Sequence, residues 1–441
     1  MLKLPNPLGG GALSKFKLFG MRSKRKIGRT AMMSSSFGGG GRGPLIKRKE
    51  FLQLGSLATA SFMVPKFLKA FESVDRVPAG NKVIVILQLS GGNDGLNTVI
   101  PIRNDIYYRE RPGLGIEKTN ALALTDEVAL HPALPTLKEL YDDGSLGILN
   151  NVGYPNPDRS HFRSMDIWQT GSASTEYVTT GWVGRYLDAQ CHGCDTPTYA
   201  LEIDDVLSLA LKGENSKAIA MKDPKRLFGT SNEKFFRDVL KDHKGDGEEM
   251  VDYLYKTMSE TLSSANYIFE QSQLHPSSAG YPKTELGNGL KTIASLIFSD
   301  INTKVYYISL GSFDTHVNQQ MQQRRLFTEL SEAVKAFTAD LKKNNRFNDV
   351  LMLTFSEFGR RVSQNASGGT DHGTANNMFL IGGGLKQKGI INPMPDLNDL
   401  DDGDLKYNID FKTVYATVLK NWLDADDKAI LGKKYEHLGF C

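Results

Sequence analysis

A chain of 441 residues, 40% hydrophobic and 23% charged, is long enough to bury one large or two medium cores. No run of eighteen apolar residues calls for a transmembrane helix. The net charge of +3 hides an asymmetry. Residues 1–49 hold twelve Lys or Arg and no acid, which leaves 41 basic against 50 acidic side chains, a net −9, in the body; an acidic body excludes nucleic-acid binding as its task.

Residues 1–46 are basic and rich in Gly and Ser, and should form a disordered leader. Residues 47–70 contain Lys47-Arg48-Lys49-Glu50-Phe51-Leu52 and then the short apolar stretch Leu54 to Val64. That order resembles a twin-arginine export signal with Lys49 in the second arginine position, and it implies a periplasmic or extracellular protein. From about residue 80 to the C-terminus the pattern is that of one α/β domain. Asn81 to Leu89 is a nearly continuous β-branched run, as in a strand buried on both faces of a parallel sheet. Similar runs recur at Ser145 to Val152, Lys304 to Leu310, Asp349 to Phe355 and Asn377 to Ile381. Helical spacing lies between them, at Pro132 to Asp142, Gln319 to Lys342 and Phe411 to Leu423. The alternation predicts a doubly wound, mostly parallel sheet with helices on both faces, and residues 195–300 read as a helical insertion. Cys191 and Cys194 form a lone CxxC, which in an exported protein suits a small local disulfide better than a zinc site.

Ligands of open α/β sheets bind beyond the carboxyl ends of strands, so the residues after each strand matter most. The first strand is followed by Gly91-Gly92-Asn93-Asp94-Gly95, either a carboxylate presented by a tight turn or an Asx turn alone. After the strand ending at Leu310 come Asp314 and His316. This N/O donor pair suits zinc, manganese or iron better than calcium; alternatively, Asp314 caps the helix that follows. After Phe355 stand Glu357, Arg360 and Arg361; the glutamate either ligates a metal or pairs with an arginine, and the guanidinium groups suit an oxyanion. The loop before Asn377 holds Asp371 and His372, where Asp371 either ligates or orients the histidine. Ser160, followed by His161 and Arg163, precedes an amphipathic segment. It is placed as the N-cap of a helix or as a nucleophile at a helix N-terminus. The other histidines, His131 among them, lack acidic or glycine framing.

The segments LQLSGGNDGLNTVIP, LHPAL, GYPNPDRSHFRSMDIWQTG, GWVGRYLD, GSFDTHVNQQ, SEFGRR and DHGTANNMFLIGGGL together resemble the bacterial exported proteins known as domain of unknown function 1501, from about Lys82 onward. That family is grouped with the alkaline phosphatase and sulfatase superfamily. The resemblance implies an alkaline-phosphatase-like core, an acidic metal ligand at Asp94, a nucleophile at Ser160, and one metal held by Asp314, His316 and His372. Glu357 stands alone where the superfamily has an Asp-His pair, so a second metal needs His161 to complete it. The expectation is an exported metal-dependent hydrolase of small anionic phosphate or sulfate esters. It would use one or two divalent ions, zinc or manganese, with Ser160 as nucleophile and Arg360 or Arg163 steadying charge. The alternative is a non-catalytic exported binding or surface-assembly protein that keeps the fold.

Overall fold

The computed structural model describes residues 82–190, 197–214, 218–236, 238 and 249–441. The leader, the export signal and the Cys191–Cys194 pair lie outside the described residues. The central sheet has nine strands: β1 (Val83–Leu89), β2 (Leu146–Gly153), β3 (Ala200–Glu202), β4 (Ile219–Ala220), β5 (Val305–Leu310), β6 (Val350–Phe355), β7 (Asn376–Ile381), β8 (Gly389–Ile390) and β9 (Ile409–Asp410). Their spatial order is β8-β2-β7-β6-β1-β5-β3-β4, with β9 alongside β2. Only β7 runs against the others within this sheet.

Strand β1 is central and all seven residues are buried, which is why its sequence is continuous rather than alternating. Its side chains nevertheless divide by parity. Val83, Val85, Leu87 and Leu89 join the core beneath helices α1 (Pro135–Asp142), α5 (Glu285–Phe298) and α6 (Gln319–Lys343). Ile84 and Ile86 join the opposite core, under α2 (His161–Thr170), α3 (Trp182–Gln190) and α7 (Phe411–Thr417). Each large aliphatic side chain buried this way contributes about 1.5–3 kcal/mol. Helix α6 docks through Leu326, Leu330, Val334, Phe337 and Leu341, spaced at three or four residues, and ends in Lys342 and Lys343, which complement the helix dipole.

The doubly wound, mostly parallel arrangement anticipated from the sequence is therefore present. Two details differ. The 195–300 stretch supplies α4 (Glu249–Leu274) and α5, but also β3 and β4, which extend the sheet at one edge. Three- and two-residue strands are too short to leave a periodic signal. The last predicted helix is α-helical only to Thr417 and continues as a π-helical turn, Val418–Trp422. Among the described residues no helix is long and apolar enough to cross a membrane.

Candidate metal centre

Four loops beyond the carboxyl ends of β1, β5 and β6 and ahead of β7 close on one another. Arg360, 2% exposed, ties them together: its guanidinium donates to the carbonyls of Gly91, Gly92, Phe313 and Thr370 and to Asp314 Oδ1. The β1 and β5 loops meet so closely that a Cβ on Gly91, whose φ is +118°, would lie 2.5 Å from the Asp314 nitrogen. A Cβ on Gly369 would sit 2.3 Å from the His316 carbonyl carbon. Residues 359–361 and 371–374 exchange backbone hydrogen bonds, which sets His372 opposite Arg360.

These constraints bring Asp314, His316, His372 and His161 together. His316 Nδ1 lies 3.1 Å from Asp371 Oδ1, and His372 Nδ1 lies 2.8 Å from the Arg159 carbonyl oxygen. Both partners are acceptors, so each Nδ1 carries a ring hydrogen and each Nε2 faces inward. The two Nε2 atoms are 3.0 Å apart, and they lie 3.1 and 3.2 Å from Asp314 Oδ1. Ligands about 2.0–2.2 Å from a tetrahedral zinc are separated from one another by roughly 3.3 Å, so the spacing is that of a coordination shell. On the other carboxylate oxygen, His161 Nε2 stands 3.6 Å from Asp314 Oδ2, while its Nδ1 faces Glu357 Oε1 at 2.9 Å. Ligand atoms of His161, Asp314 and His372 all lie within 4.8 Å of one another, a cluster compatible with a divalent metal.

The electrostatics agree with this geometry. The Glu357 hydrogen bond, followed by the charges of Glu357 and Asp314, raises the His161 pKa against partial burial. Partial burial works upward on Asp314, but the Arg360 hydrogen bond and charge, with His372 and His316, hold its carboxyl below the usual range. Burial lowers the His372 pKa and favours the neutral ring that can ligate. Asp371, held by Asn365 and then by His316, is likewise lowered.

Other candidates occupy different places. Asp94 is 1% exposed, and its carboxylate is taken by Arg111 at 2.6 Å, by Gln319, and by the Leu96 and Asn97 amides of the short helix it caps. It is therefore not brought into the histidine cluster. Glu357 is fully buried; Oε1 accepts from the Gly91 amide and faces His161, whereas Oε2 has no hydrogen-bond partner. It orients His161 rather than joining the cluster directly. Arg360 has its donors committed within the loops, and Arg163 reaches back to the carbonyls of Ala173, Ser174 and Glu176 and covers the Tyr177 ring. The Arg360 guanidinium is thus taken up within the loops, and Arg163 is turned toward the 173–177 segment through Nη2. Ser160 occupies the N-cap position of α2, yet its hydroxyl makes no capping bond and the residue is exposed. It sits between Arg159, whose carbonyl meets His372, and His161.

No motif points to Arg111, which pairs with Asp94, and the SEFGRR segment does not single out Phe358, whose ring packs 4.8 Å from that of His161 and 4.7 Å from that of His372. Asn365, which donates to both Asp371 and the His316 carbonyl, is equally silent in the sequence, although its Asn-x-Ser-Gly-Gly setting is a turn signal.

No curated protein matches the chain. Among solved structures, similarity extends to the lipoteichoic acid synthase LtaP from Listeria monocytogenes, at 10% identity over 77% of this chain and 73% of that one, with a TM-score of 0.32. It extends also to the PsFucS1 sulfatase from Pseudoalteromonas sp., at 11% identity over 89% and 75% of the two chains and a TM-score of 0.37. A third is the alkaline phosphatase of the Antarctic bacterium TAB5, at 11% identity over 68% and 92%, with a TM-score of 0.30. Residues 149–431, which include every histidine and carboxylate of the cluster, match the profile described as "Protein of unknown function (DUF1501)", and the chain belongs to that family.

Proposed function

We propose that the protein is an exported metal-dependent hydrolase of small phosphate or sulfate esters, with its metal held by Asp314, His316 and His372 and approached by His161. The observation that carries this reading is the convergence of two Nε2 atoms and a carboxylate oxygen within 3.0–3.2 Å, each imidazole fixed by an acceptor behind it. Arg360 meets Asp314 Oδ1 from one side, and a divalent cation would draw on the two facing Nε2 atoms and the same carboxylate from the other. The N/O donor set fits zinc or manganese. Such an ion would supply Lewis acidity and charge neutralisation at an ester oxygen. Ser160 is the candidate nucleophile: it is exposed, carries an uncommitted hydroxyl, and begins a ten-residue helix whose N-terminus favours an anion. Export rests on the basic Phe-Leu signal at residues 47–52.

A second reading, a non-catalytic exported binding or assembly protein, draws on Asp94. The acid expected to ligate is committed to Arg111, so half of a two-metal site is missing. Elemental analysis of the purified protein separates metal site from none: about one equivalent of zinc or manganese supports the site, and less than a tenth sinks it. Hydrolysis of p-nitrophenyl phosphate or sulfate that disappears in Ser160→Ala supports the nucleophile. Metal without any hydrolysis favours the second reading.

A further inference from the structure

A cavity of about 900 Å³, at the large end of small-molecule clefts, is lined in part by Asn318, Gln364 and Gly368. One wall is the first turns of α6, where Gln320, Gln323 and Arg324 share a face at three- and four-residue spacing. The opposite wall is the 113–117 loop, pinned by Gln364 Oε1, which accepts from the Gly113 and Leu114 amides at 2.8 and 2.9 Å, and by Gln320, which donates to the Gly113 carbonyl at 2.7 Å. The cavity is thus held in shape before any ligand arrives.

Its lining differs from the apolar surface usual in such clefts. Six of the sixteen lining residues are carboxamides, and the two charged side chains, Arg324 and Glu117, are of opposite sign. Gln323 is 2% exposed, and its Nε2 donates to the Asp94 carbonyl at 3.3 Å while Oε1 has no partner. His131, 4% exposed, accepts the Ala133 amide at Nδ1, which places the ring proton on Nε2. Burial, then the charge of Arg324, lowers its pKa to about 4, so the ring is neutral. Arg324 has no ion-pair partner among the described residues.

We infer that this cavity is a metal-independent binding site for a neutral, polyhydroxylated ligand, a saccharide unit, held by Gln323, Gln320, His131 and Arg324. Vicinal hydroxyls both donate and accept, which matches a wall of carboxamides balanced between one cation and one anion. A ligand of either charge would meet Arg324 or Glu117 unfavourably. The lip of the cavity, Asn318 and Gly368, is two residues from His316 and three from Asp371. A bound glycan would therefore lie against the loops of the candidate metal centre without needing its ion.

The test is isothermal titration of the full chain, in EDTA, with neutral hexasaccharides from cellulose, starch, xylan and mannan and with hexagalacturonate as the anionic comparison. At least one neutral hexasaccharide should bind with a Kd below 1 mM. Its affinity should fall tenfold or more in Arg324→Ala, an exposed position that leaves the fold intact, and in Gln323→Leu. Failure of all four neutral probes overturns the inference, as does binding unchanged in both variants. Hexagalacturonate binding as tightly as the best neutral probe overturns it too. Because EDTA is present throughout, loss of the metal reading leaves this result standing.

Discussion

Asp94 and Asp314 stand beyond neighbouring parallel strands, β1 and β5, yet meet opposite fates. Asp94 is sealed with Arg111, both side chains 0% exposed, and accepts two helix amides besides. Asp314 keeps a side chain 46% exposed and receives Arg360 on one oxygen while three imidazoles gather round both. A carboxylate after a strand is thus not a ligand by position alone. Both are paired with a buried arginine; what decides is whether the carboxylate is sealed in with that arginine, as Asp94 is, or stays half exposed where imidazoles can reach it, as Asp314 does. Glu202, the last residue of β3, shows a third outcome. It is buried with no cation beside it and is held by the Ser208 amide, and desolvation pushes its pKa up to about 8.

The comparison breaks most visibly at Asp94. Asp94→Ala leaves the Arg111 charge buried without its partner, and should cost about 3–5 kcal/mol in denaturant unfolding. The folded fraction should bind as much metal as the parent. A loss of metal greater than the loss of folded protein would return Asp94 to the site.

Glu202 gives the next effect, and its sign is fixed by linkage. The folded state keeps the proton up to about pH 8, whereas the unfolded carboxyl loses it near its ordinary value of 4.5. Stability is therefore highest at the acid end of this window and falls as pH rises through it, by on the order of 5 kcal/mol. Glu202→Gln should flatten that decline. A pH–stability profile that the substitution leaves unchanged removes Glu202 from the argument.

At Asp314 the expectation is reversed relative to Asp94. Asp314→Ala should abolish metal binding and cost the metal-free protein about 1–3 kcal/mol, less than Asp94→Ala, because buried Arg360 loses its carboxylate but keeps four carbonyl acceptors and Asp314 itself is half exposed. A shift as large as that of Asp94→Ala would mean that the carboxylate is structural. Asp371→Ala, which removes the acceptor behind His316, should weaken metal binding by about 10–100-fold without unfolding the chain. Equal affinity in a competition assay with a chelator would discard the orienting role.

Part of this contrast is legible in the amino-acid sequence alone. Buried strands announce themselves by unbroken β-branched runs, so β1, β2, β5, β6 and β7 and the loops beside them stand out, and so does the alternation with helices. The same loops hold Asp314, His316, Asp371 and His372. The pairing of Asp94 with Arg111 is not legible, because Arg111 lies in a Pro-Gly loop without a motif and reaches Asp94 only through the fold. Nor is the commitment of Arg360, since five hydrogen bonds to carbonyls and a carboxylate far apart in sequence leave no local pattern. Strands β3 and β4 escape because a few residues cannot display a period.

By itself, then, the sequence determined the layers of the fold and the edge of the sheet where charged and imidazole side chains collect. Periodicity and turn chemistry are local properties, and the chain carries them in order. Only the tertiary structure decided which carboxylate is sealed in with its arginine, which imidazoles turn Nε2 toward one another, and which buried glutamine carbonyl is left unpaired. Those outcomes depend on donors and acceptors brought within about 3 Å from distant parts of the chain, where hydrogen bonding acts.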